Sequence, residues 1–75
     1  MKPLQWSRMQ SGVWNGKVGS VTLMVVALHP ERGWFVAPKL PGLRTVDVAD
    51  LEEGRQVANK LWARWGREMG CGHAG

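Results

Sequence analysis

The chain has one cysteine, no tyrosine and a single phenylalanine in 75 residues. A lone cysteine excludes an internal disulfide and a multi-cysteine metal framework, and it fits a reducing, cytoplasmic compartment. Long apolar runs are also missing. The longest, Val21 to Leu28, is far too short to span a bilayer, so no membrane partner is expected. No secretory leader pattern is visible, because Met1-Lys2-Pro3 is followed by polar Gln5, Ser7 and Arg8 instead of an apolar segment. There is no phosphate-cradling glycine loop and no nucleophile elbow. Basic residues outnumber acidic ones by 10 to 6, for a formal charge of +4, but they form no polybasic run. That balance favours acidic partners without establishing nucleic-acid binding.

Five tryptophans are present, which is many for so short a chain, and they allow a small core to be filled by a few large side chains. The length suits one domain over residues 1–70, with 71–75 (Cys-Gly-His-Ala-Gly) as a disordered tail. Cys71 and His73 supply only two ligands on that tail, so no metal or cofactor is expected.

The strongest periodic signal lies between Asp50 and Met69. At 3.6 residues per turn, Leu51, Gly54, Val57, Ala58, Leu61, Trp62, Trp65 and Met69 share one side of a helix. Asp50 is a good N-cap, Glu53 completes a capping-box pair, and Gly70 is placed to end the helix. Gly54 lies mid-stripe, where a missing side chain lets the helix approach its partner surface closely.

That surface reads as a sheet. Leu4 to Met9 alternates loosely, Val21 to Leu28 is a β-branched run, Trp34 to Leu40 returns from the turn at His29–Gly33, and Arg44 to Val48 leads into the helix. Between the first two runs, Asn15-Gly16 is the strongest short hairpin signal, with a long loop over 11–20 as the alternative. The fold class is therefore α+β: an antiparallel β-meander of three or four strands with one C-terminal helix on one face (ββββα).

A four-residue loop over Pro30–Gly33 pairs His29 with Trp34. In that register Trp6, Leu23, Val25, Ala27, Trp34, Val36 and Leu40 face the helix. Met24, Val26, Leu28, Phe35 and Ala37 then form a second apolar face that one helix cannot cover. Such a face exceeds what a soluble monomer ordinarily exposes, so Met24, Val26, Leu28 and Phe35 are expected to mediate self-association into a homodimer. Trp14, on the loop with Lys17, is the expected anchor for a protein partner. Lys60, Arg64 and Arg67 on one helix flank, with Arg44, are the candidate nucleic-acid contacts.

Catalysis finds little support. Glu52 and Glu53 diverge by about 100° on a helix and suit its N-terminus better than acid–base work. His29 sits before a proline and reads as a turn residue. No enzyme activity is expected.

The order of elements and the ending DLEEGRQVANKLWARW resemble small phage and prophage proteins with a β-meander followed by one helix. That resemblance implies a non-enzymatic accessory protein that docks on a host protein and can inhibit it. Two nucleic-acid-binding types are similar in outline. One is the sheet-plus-helix arm-binding domain of tyrosine recombinases, whose sheet face enters the major groove on arginines and polar residues; here the corresponding face is expected to carry Met24, Val26, Leu28 and Phe35. The other is the dimeric coactivator-like fold that binds single strands.

Overall fold

The computed structural model describes residues 2–10 and 12–68. Met69, the expected cap at Gly70 and the tail 71–75 with Cys71 and His73 lie outside the described residues. The strands are β1 Gln5–Gln10, β2 Val13–Val18, β3 Val21–His29, β4 Gly33–Pro38 and β5 Val46–Asp47, followed by the helix α1 Leu51–Glu68. All pairs are antiparallel and the strands lie in chain order, β1-β2-β3-β4-β5. The α+β meander with its C-terminal helix stands as expected, with one strand more than the expected three or four.

The extra strand is the glycine-rich segment itself. Asn15-Gly16 is no turn: both residues lie inside β2, and positive φ angles fall at Gly12 (78°) and Gly19 (64°) beside the strand. The reason is packing. Trp6 pairs with Gly16 across β1 and β2, and its indole lies against that glycine. A Cβ at Gly16 would meet three ring carbons of Trp6 at 3.1, 3.2 and 3.3 Å. Gly16 makes room for a ring, and this tertiary demand overrides the local turn preference.

The second departure is one residue of register. His29 pairs with Gly33, so the β3–β4 loop holds three residues, Pro30 to Arg32, instead of four. Gly33 at φ 89° takes the left-handed conformation that closes such three-residue loops. The His29 ring fastens the turn, with Nδ1 accepting the Glu31 N–H (3.1 Å) and the Arg32 N–H (3.2 Å). Because side chains alternate with period two, this single step sends every side chain along most of β3 to the other face. Met24 and Val26 lie under the helix at 0% exposure, and Leu28 shares their face at the sheet's end. The expected self-association set is thereby corrected: Met24 and Val26 are core residues of the same chain, and only Phe35 remains on the uncovered side.

The core consists of Met24, Val26, Val36, Leu4, Leu40 and Ala58, with Trp6, Trp14, Trp34, Trp62 and Trp65 packed around it. Asp50 caps the helix, its Oδ1 accepting the Glu53 N–H at 2.8 Å, while Glu53 Oε2 accepts the Ala49 N–H at 3.1 Å. This is the reciprocal pairing expected of Asp50 and Glu53, shifted one residue outward on the returning arm. Gly54 then allows the first turns to settle on β3: a Cβ there would stand 2.5 Å from Val26 Cγ1.

Alanine at an exposed helix glycine ordinarily stabilises by up to about 1 kcal/mol. Gly54→Ala is expected to do the opposite. The forced shift should cost about 1–3 kcal/mol, as other overpacked core substitutions do. A thermal melt should show a lower midpoint, and adding Val26→Ala should recover part of the loss through non-additivity.

Candidate functional site

Two surfaces follow from this arrangement. The first is the sheet face turned away from α1. The helix packs on β3 and β4 from one side, and among the described residues no second helix covers the other. Cross-strand pairing places Ser7, Asn15, Val25 and Ala37 in one row there, and Gln10, Val13, Ala27, Phe35 and Asp47 in the next. The centre, Val13, Val25, Ala27, Phe35 and Ala37, is apolar. The β1–β2 side is polar, carrying Gln5, Ser7, Asn15 and Lys17.

Phe35 sits at the border of this strip. The Arg32 guanidinium lies over its ring at 5.2 Å from the centroid, and Arg32 Nε donates to Asp47 Oδ1 across the β4–β5 edge. The ion pair is largely exposed and adds little stability by itself. Its effect is to pin a cation over the aromatic face.

The second surface is a cleft of about 390 Å³ where the C-terminal half of α1 meets the N-terminal segment. Trp6 and Trp62 line it, together with Pro3, Leu4, Asn59 and Ala63, and Lys2 stands at its margin. Trp62 stacks on Trp65 with centroids 5.8 Å apart and planes 15° from parallel, and Trp62 Nε1 donates to the Lys2 carbonyl at 2.7 Å. Trp65 Nε1 is buried without a hydrogen-bond partner among the described residues. Periodicity places Trp62 and Trp65 on the core stripe, and nothing in it marks this cleft. Its two indoles are 56 positions apart in the chain, and only the surplus of tryptophan hinted at a use beyond the core.

The other candidates disperse. Trp14 is in β2 on the helix side, half-buried, with the Arg55 guanidinium 4.6 Å from its ring centroid. It is therefore a packed residue, and the loop anchor expected at this position is corrected. Its signal was the alternation of Trp14, Gly16 and Val18 against Val13, Asn15 and Lys17. Lys17 lies on the open sheet face, behind the sheet from α1. Lys60, Arg64 and Arg67 are exposed on the helix, and Arg64 Nε pairs with Glu68 at 3.0 Å. Arg44 is exposed in the connection before β5. Lys17 and Arg44 thus lie apart from the three helix cations.

Asp47, Asp50, Glu53 and Glu68 each hold a structural partner. Among the described residues no three His, Cys, Asp or Glu side chains stand close enough to hold a metal ion. No helix is long and apolar enough to cross a membrane. No family model, curated protein or solved structure matches the chain.

Trp14→Ala is expected to destabilise the fold by about 2–3 kcal/mol, somewhat below the cost of truncating a fully buried aromatic residue. Urea denaturation should show the midpoint falling, and Arg55→Ala should add little in the Trp14→Ala background because their contact is already gone.

Proposed function

We propose that this chain is a small non-enzymatic binding module of the accessory type found among phage and prophage proteins, acting in the cytoplasm and docking through the open face of its sheet. The observation that carries this reading is the second apolar face. A sheet with one helix buries one side, and the other side carries half-buried Val13, Val25, Phe35 and Ala37 around a buried Ala27. An apolar centre bordered by Lys17, Asn15, Ser7 and Asp47 has the anatomy of a protein interface. Such a face suits another sheet, since sheets pack face to face about 10 Å apart through their apolar rows.

A second copy of the chain is the simplest occupant. Paired face to face, two copies bury each other's apolar rows and leave both helices and both clefts outward. Phe35 is the residue on which this depends most, being the largest apolar side chain on the face.

Size-exclusion chromatography with light scattering, under reducing conditions, tests the proposal. The expected mass is twice the 8.3 kDa of one chain. Phe35→Asp should return it to a single chain with the helical signal intact, because Phe35 lies outside the buried core. A monomer at every concentration, unchanged by Phe35→Asp, would count against self-association through this face.

A further inference from the structure

We propose that the cleft between Trp6 and Trp62 binds one nucleotide of a single-stranded nucleic acid, with the base against the two indoles and the neighbouring phosphates on Lys2, Lys60 and Arg67. The site lies on the helix side of the molecule, opposite the open sheet face, and stands independently of the self-association reading.

The first argument is preorganisation. Trp6 rests on Gly16, where an added Cβ would stand only 3.1–3.3 Å from its ring carbons. Trp62 is held on one side by its stack on Trp65 and at its edge by the hydrogen bond to the Lys2 carbonyl. Neither indole needs to be ordered by the ligand, so the entropic cost of binding is reduced. Fixed aromatic walls of this kind accept any base, since every base has a π-face.

The second is size and polarity. A volume of about 390 Å³ lies near the lower end of the range for small-ligand sites, enough for one unit of a polymer whose neighbours continue outside. Asn59 adds a side-chain amide that can both donate to and accept from a base edge. Bases inside a duplex are stacked on each other and cannot enter such a cleft, which restricts the ligand to single strands.

The third is charge. No carboxylate lines the cleft among the described residues, and Lys2 does. On α1, Lys60 and Arg67 lie three residues before and four after the lining residue Ala63, spacings that make them its neighbours on the helix surface although neither lines the cleft itself. Both are exposed, whereas Arg64, further round, is engaged by Glu68. Lys2, Lys60 and Arg67 hold no salt bridge among the described residues, in a chain of net charge +4.

The test is fluorescence anisotropy of the full chain with labelled oligothymidylate, with an unlabelled duplex as competitor, over a range of salt. The single strand should bind in preference to the duplex. The log–log salt slope should be about −2, from roughly −0.7 for each of three phosphates contacted. Trp62→Ala should weaken binding roughly 5- to 150-fold, the range for losing one base–aromatic stack. Ala63→Glu keeps both rings and sets a carboxylate at the lip, and it should weaken binding more at low salt than at high. Should Trp62→Ala fail to fold, Ala63→Glu decides alone. No binding at low salt, equal competition by the duplex, or wild-type affinity in a folded Ala63→Glu variant would overturn the site. A monomer that still binds oligothymidylate would separate this site from the open-face reading, and a dimer that does not bind it would overturn this site alone.

Discussion

The architecture depends on how closely α1 can approach β3. Among the described residues a single helix covers a five-stranded sheet, so the contact must be tight where it is made. Gly54 over Val26 provides that: with no Cβ, the helix backbone comes to rest on the methyl groups of a completely buried strand residue. Around this point the other parts fall into place. The Asp50–Glu53 cap starts the helix, Ala58 continues the contact at 0% exposure, and Leu61, Trp62 and Trp65 pack against the core further along. The cleft opens where this C-terminal half of α1 meets the N-terminal segment.

The same packing leaves both surfaces. Because α1 packs on one side of β3 and β4, the far face of those strands has no helix over it among the described residues. Two of the rings at the cleft, Trp6 and Trp62, remain only half-buried, each already held by a neighbour. Asp47 and Arg32 are paired at the β4–β5 edge, Arg55 lies on Trp14, and Arg64 is paired with Glu68, whereas Lys2, Lys60 and Arg67 hold no salt bridge among the described residues.

Much of the fold was legible in the sequence. The helix from Leu51, its cap, the role of Gly54 and the meander order can all be read from periodicity and capping chemistry. The face assignment was not, and the cause is specific. Gly33 can sit inside a four-residue loop or be the first strand residue after a three-residue one, and nothing local distinguishes the two. Yet the choice decides whether Met24 and Val26, or Val25 and Ala27, meet the helix. Asn15-Gly16 misled for a related reason: its turn preference is real, but Gly16 is claimed by the Trp6 ring, a partner ten positions away. The cleft depends on residues near both ends of the domain and became visible only once the helix crossed the sheet.

The face assignment is the central claim, and thiol reactivity tests it most directly. In a Cys71→Ser background, Val25→Cys and Val26→Cys place a probe on either side of the same strand. With a bulky thiol reagent at low protein concentration, where any dimer is dissociated, the cysteine at position 25 should react readily. The cysteine at position 26 should react only as the domain unfolds. The reverse order would put the helix on the other face of β3 and contradict the account.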